Sequence, residues 1–448
     1  QQSSGTATAA SSPINVADTL IIDAGTFDMV GADLYVEGNF VNNSSIVNNT
    51  QVFMSGTGAQ SIEGTSPTTF EILLITGASG TTTINQDINV NQILYVEGTK
   101  TLNGGNNEIK LIGSGTPFFL EGTFNPGTGT VNYTSTDPTD ILPITYYNLK
   151  SEGATTKPLM GNTVVSNQLN LNGTDLDVST YKLTIAGSGS TSPMVSNGGM
   201  LNVQTGELEL TNTVGLTFPA SFFNGSVNNL TLTGAGGLTV SSDFTITGEL
   251  KLTGGTLALG TTDLTIESDA VISRTSGLIN TGTGGLIYKA AGLNTANLSS
   301  TTIDHIELNR AGGTIALTGN LAVTNGFTLT DGTFDIAANT LSFNGTITHN
   351  AGAIDADAGT VNFNNVSPYT ISNGLFAGAI YGLGANGSEL TLSNPTTVSN
   401  LLTMGGSNIN TSDANVLEIG TSKTNPGSIS WTTGTIVGPL KRWFGTAA

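Results

Sequence analysis

Few residues in this chain are equipped for chemistry, and the densest group of them is DHIELNR at 304–310. If Ile306 and Leu308 face a core, His305, Glu307 and Asn309 share the opposite face of a strand. An imidazole beside a carboxylate, with Arg310 adjacent, is the equipment of a general acid/base site. The same pattern also describes an exposed strand with ordinary ion pairing. His349 is the only other histidine. It lies some forty residues further on, so the two are not expected to share a metal.

Carboxylates are the other reactive resource. Asp175 with Asp177, Asp331 with Asp335, and Asp355 with Asp357 are the closely spaced pairs. A glycoside hydrolase needs two such groups converging across one bond, and a lyase needs a base beside a cation. Asp175 and Asp177 flank Leu176, which places both toward solvent. Their counterparts in the next copy of the repeat described below are Thr256 and Ala258, so no ladder of acids builds up. Solvated acids at corners are the expectation, and no catalytic residue is assigned.

Calcium is the one cofactor the acids allow. Asp355 and Asp357 in DADAG, or Asp23, Asp28 and Asp33, are weak ligand candidates. Neither the EF-hand loop nor the GGxGxDxUx nonapeptide is present. Gly-rich stretches such as LTGAGG and LTGGT precede no helix and carry no GK[ST], so they are not phosphate loops.

Behind these residues stands a repeat of about seventy-seven residues. Its first landmark is a hydrophobic anchor at Leu73, Leu149, Leu230, Ile306 and Leu383. A second follows some twenty residues later, as LYVEGTKTL from Leu94, LNLNGTDLDV from Leu169, LKLTGGTLAL from Leu250, FTLTDGTFDI from Phe327 and LTMGGSNIN from Leu402. An extra LYVEG at 34–38 starts the array earlier.

Within a copy the apolar residues alternate in pairs: Leu230 and Leu232, Leu238 and Val240, Phe244 and Ile246, Leu250 and Leu252, Leu257 and Leu259, Leu264 and Ile266. Such alternation, broken by Gly, Ser, Asn, Asp and Thr, spells short strands with one buried face. Every third strand recurs after about twenty residues. That spacing predicts an all-β, right-handed parallel β-helix, a solenoid with three short strands per coil. A string of antiparallel sandwiches would need longer strands and larger domains. With 59 Gly among 448 residues, tight corners are well supplied.

The predicted organisation is an N-terminal extension at 1–16, opening coils at 17–66, and a repeat solenoid at 67–433. Its units fall near 67–143, 144–222, 223–301, 302–376 and 377–433, and 434–448 forms a cap or a junction to a further domain. In that last segment Lys441, Arg442, Trp443 and Phe444 stand together as a docking patch or an end cap.

Charge narrows the partners. There are 32 acids against 12 bases, a net charge of −20, and no cysteine. Nucleic acid requires basic surface, and anionic lipid repels an acidic one. No apolar run is long enough for a transmembrane helix. Without cysteine, disulfide frameworks and thiolate metal sites are excluded. The leading QQSSGTATAASSP is polar and uncharged, consistent with a mature terminus left by signal cleavage.

SVNNLTLTGAGGLTVSSDFTITGELKLTGGTLALGTTDLTI from Ser226, and GTIVGPLKRWF from Gly434, resemble the repeats of large secreted surface proteins of Bacteroidota. The resemblance spans about residues 67 to 448. It implies an adhesin-like protein, extracellular or on the outer-membrane surface, of the kind exported by the type IX secretion system. The C-terminal sandwich that signals this export is not in the sequence, so a longer natural chain is expected. Asp18-Thr19-Leu20 resembles the O-glycosylation acceptor of that phylum, with Thr19 modified. The expected function is a non-enzymatic structural rod, a stiff spacer and interaction surface. A carbohydrate-active or glycan-binding β-helix is the alternative, and a passenger region held by export machinery is another. The implied partners are surface proteins, glycans or type IX secretion components.

Overall fold

Alternation in the sequence becomes alternation of burial. In the Phe244–Leu252 strand, Phe244, Ile246, Leu250 and Leu252 are buried, while Thr245 and Thr247 are half-buried on the other face. The structure is a computed structural model and describes residues 4–9, 12–187, 192–267, 270–289, 293–296, 298 and 303–445. It is all-β, with no helix among the described residues. The chain forms two compact units, Gln1–Asn224 and Gly225–Ala448.

In the first unit every ladder among the described residues is parallel. The Thr68–Ile75 strand bends between Phe70 and Ile72, so that one strand supplies two walls of a coil. Its neighbour one coil on, Ile88–Val96, bends with it, pairing Phe70 with Val90 and Leu73 with Leu94. The third wall stacks Ala59–Glu63, Thr81–Ile84, Thr101–Asn103 and Thr123–Asn125. Three strand segments per coil result, and the inward residues stack in columns such as Leu73, Leu94 and Phe118, all fully buried. Each such side chain is worth about 1.5–3 kcal/mol relative to exposure.

Corners are tight enough to demand glycine. Gly105 has φ +65°, and a Cβ there would lie 2.1 Å from the Ile84 carbonyl oxygen. One coil on, Gly127 has φ +62° and would press a Cβ to 2.0 Å from the Gly105 oxygen. Left-handed backbone and close coil contact coincide at these positions.

Some inward corner positions are polar, and they hold backbone carbonyls that the ladders leave over. Lys100 is buried, its Nζ donating to the Gly56 oxygen at 2.6 Å and the Ser79 oxygen at 2.9 Å. Lys157, fully buried, donates to the Ser135 oxygen at 2.8 Å. Burial pushes both amines below their ordinary value. Thr68 Oγ1 accepts from Asn42 at 2.9 Å and from Gln86 at 2.6 Å, forming a buried polar rung.

The second unit repeats the plan. Leu230 pairs with Leu250, Leu238 with Leu257, and Phe244 with Leu264, all parallel. These are the partners that the twenty-residue spacing requires. Further along, the long strands Ile303–Leu317 and Leu321–Asp335 pair from Ile303 to Ala316 with several register shifts. The largest shift sets 310–313 against little more than Gly332.

Candidate functional site

The DHIELNR stretch lies on the Ile303–Leu317 strand, where Ile306 and Leu308 face inward as the sequence requires. His305 and Glu307 are on the outer face. The imidazole lies over glycines of the coils on either side: Gly285 and Gly326 pair with His305. A Cβ on Gly326 would come within 2.3 Å of its Nδ1, and one on Gly285 within 3.1 Å of its Cδ2. The ring is bedded between coils. Glu307 Oε1 accepts from Thr330 at 3.4 Å and from Asn309 at 3.5 Å, both long bonds.

Arg310 does not join them. It is fully buried, on the inward side of the strand with Leu308. The expectation of an outward His–Glu pair with Arg310 beside it is therefore corrected for the arginine, which, two residues beyond Leu308, points the same way as it. In the core Arg310 lies near Tyr288, whose hydroxyl burial pushes up, with the arginine charge opposing.

The aspartate pairs are occupied with backbone N–H groups, in turns or of a neighbouring coil. Asp175 Oδ1 accepts the Met200 N–H at 2.8 Å, and Asp177 Oδ1 accepts that of Ser179 at 2.9 Å. Asp331 accepts from Gly332 and Asp335 from Ala337, each at 2.7 Å. Asp355 accepts the Asp357 N–H at 3.3 Å. Asp23 and Asp28 receive Asn43 and Asn48 amides at 3.2 and 2.8 Å, and the Asn48 bond holds the Asp28 carboxyl below its usual range. Among the described residues no three His, Asp or Glu side chains are grouped to hold a metal. Asp355 and Asp357 do not gain a third ligand.

His349 has a distinct setting. Its Nδ1 is 2.6 Å from Ser372 Oγ and its Nε2 is 3.1 Å from the Gly352 oxygen. At the other end of the chain, Thr19 Oγ1 is half-buried and accepts the Asn39 N–H at 3.4 Å.

Lys441, Arg442, Trp443 and Phe444 follow from the Leu440–Arg442 strand, which pairs with Leu417–Ile419. Lys441 lies 2.8 Å from Glu418 Oε1 and 5.2 Å from the Trp443 ring centroid. Trp443 Nε1 donates to the same carboxylate at 2.6 Å, and Arg442 covers the Phe444 ring at 5.5 Å. The cluster is a rung of the ladder, with Phe444 70% exposed.

Two groupings were not visible from motif reading. The first is an outer ladder in the first unit. Asn132 Nδ2 donates to Glu108 Oε1 at 2.5 Å and to Glu152 Oε2 at 2.6 Å. Asn172 donates to Glu152 Oε1 at 2.5 Å, and Lys150 pairs with that oxygen at 2.8 Å. Burial pushes the Glu152 carboxyl up, but the Lys150, Asn132 and Asn172 bonds outweigh it and hold it at about 2. A carboxylate so held stays ionised, the opposite of a general acid. The twenty-residue offset between Asn132, Glu152 and Asn172 was the available signal.

The second is a break in the wall of the second unit. The Thr346–His349 strand pairs with Leu321–Asp335 on one side. On its other side, Tyr369–Ile371 begins a separate sheet. A cavity of about 480 Å³ opens there, walled by Asn325, Asn344, Thr346, Ile347 and Tyr369 and by the loop 365–368. No protein-family model, curated protein or solved structure matches the chain.

Proposed function

We propose that the chain is a non-enzymatic structural module of a bacterial cell-surface or secreted protein, adhesin-like, each solenoid unit serving as a stiff spacer and interaction surface. One observation carries the reading. Outward polar side chains on successive coils are tied to each other instead of converging on a reacting position. Asn386 donates to Asn364, and Asn364 to Asn344, each at 3.1 Å. The Glu108–Asn132–Glu152–Asn172 series does the same in the first unit. Ladders of this kind rigidify a wall and leave little freedom for acid/base work.

The surface location rests on the resemblance of the Ser226 and Gly434 stretches to Bacteroidota surface repeats. A net charge of −20 suits a protein that must stay soluble and avoid anionic lipid. No helix among the described residues is long and apolar enough to cross a membrane. Antibody raised against the chain should label intact cells of the source bacterium, or its culture medium. Labelling that appears only after lysis would overturn the location. Release of reducing ends from a polysaccharide panel, lost in Glu307→Gln, would overturn the non-enzymatic reading.

A further inference from the structure

The wall break in the second unit has the build of a ligand site. We infer that the cavity between Thr346–His349 and the loop 365–368 binds a compact, uncharged, polyhydroxylated ligand: the terminal one or two sugar rings of a glycan. The inference goes beyond the structural reading and stands whatever the location of the protein.

Size is the first argument. About 480 Å³ lies in the range of small-ligand pockets and holds one or two pyranose rings. Chemistry is the second. The walls combine Asn325, Asn344 and Thr346, each using one hydrogen bond within the wall and keeping further donor or acceptor capacity, with the apolar surfaces of Ile347, Pro368 and Tyr369. Sugars present that same mixture, hydroxyl edges around apolar C–H faces. None of the residues lining the cavity is charged, in a chain of net charge −20. An anionic ligand would find no partner, and the nearby Asp304 carboxylate already accepts from the lining Thr324 and Asn325 at 3.3 and 3.4 Å.

Backbone adds donors. The Asn350 N–H bonds back to the Leu329 oxygen, so strand alternation turns the N–H groups of Ile347 and His349 toward the break. Such edge groups are obligatory hydrogen-bonding partners for whatever enters.

Shape excludes the rival occupant, an added β-strand. The break is shut at one end by the pairing of Phe343 with Phe363. At the other, His349 bonds Ser372 at 2.6 Å, and Ile354 bridges Phe376 just beyond. An extended peptide cannot run along an edge closed at both ends, but a chain terminus can enter end-on. The rim is preset: Asn365 Nδ2 holds the Ser367 oxygen at 3.1 Å, and the Tyr369 ring stacks on Phe363 at 5.7 Å.

The test is saturation-transfer NMR on the full chain with methyl glycosides of glucose, galactose, mannose and N-acetylglucosamine. At least one should receive saturation from wild type. Thr346→Trp, which fills the cavity from an exposed position, should weaken that binding about tenfold or more. Val366→Trp, at a rim position 88% exposed, is the second variant should the first lose its β-sheet circular dichroism. No transfer to any glycoside at millimolar concentration overturns the inference. Transfer that survives a folded cavity-filling variant overturns it as well.

Discussion

The wall at 51–120 in the first unit and the wall at 340–371 in the second are built from the same strand pattern, yet one is closed and the other open. In the first, Leu74 has a strand partner on both sides, Phe53 and Tyr95. Outward side chains pack on one another there, as where the Tyr35 and Phe53 rings stack at 4.1 Å. In the second, Thr346–His349 has a partner on one side only. Length between rungs is not the difference, because in the closed wall Leu94 meets Phe118 after 24 residues. In the open wall Phe343 meets Phe363 after 20 residues and Ile354 meets Phe376 after 22. Between them Pro368, which has no N–H, enters the loop that faces the open edge. A solenoid wall is continuous by default, keeping its ladder even across the step from Leu94 to Phe118, and the opening in the second unit goes with Pro368 on the facing loop.

The largest effect should come from breaking the closed wall. Leu94→Ala removes a fully buried rung between Leu73 and Phe118 and should cost about 2–5 kcal/mol in urea denaturation. Ile347→Ala, at the open edge and half-buried, should cost about 1 kcal/mol or less. Equal losses would mean that the two walls are equally packed.

Next in size is the buried amine of Lys157. Lys157→Ala should cost about 2 kcal/mol or more, through lost packing and an abandoned Ser135 carbonyl, whereas Lys157→Met, which abandons the same carbonyl but keeps the packing, should cost less. The pH dependence has a fixed sign. Burial lowers the folded-state value below 10.5, so the unfolded chain holds more protons in that window. Wild type should therefore gain stability relative to Lys157→Met as pH rises from the folded value toward 10.5. A flat difference profile would contradict a buried charged amine.

Smaller again is the Glu152 ladder. Its carboxyl is held at about 2 against an ordinary 4.5, so its contribution is present above 4.5 and lost as pH falls through about 2. Glu152→Gln should cost about 1 kcal/mol at neutral pH, after solvent screening, with the cost shrinking as pH falls toward 2 and vanishing below it. The smallest effect belongs to the exposed Glu418–Lys441 pair, where Glu418→Gln should change stability by about 0.5 kcal/mol or less. A larger loss there than at Glu152 would reverse the ranking of outer ladders drawn here.

Much of the fold was legible because parallel stacking makes sequence spacing into geometry. Leu230, Leu238 and Phe244 meet the residues that their twenty-residue offsets name. Period-two parity was legible as well, and for Arg310 it outranked its place in a polar cluster: its position relative to Leu308 puts it inside. The wall break was harder to read. Thr346, Ile347, Thr348 and His349 read as a normal strand, and in the following coil only Pro368, a residue without an N–H, hints that pairing stops. Side-chain ladders such as Asn132 with Glu108 and Glu152 join residues in different coils, so no local motif contains them.

Amide hydrogen exchange by NMR tests the contrast between closed and open wall most directly. Leu73, Leu74 and Ile75 lie between two paired strands and should exchange only with global or large sub-global opening. The N–H groups of Ile347 and His349, turned toward the break, should exchange at least about a hundredfold faster than those. Protection at Ile347 and His349 equal to that at Leu74 would show a closed wall there and contradict the account.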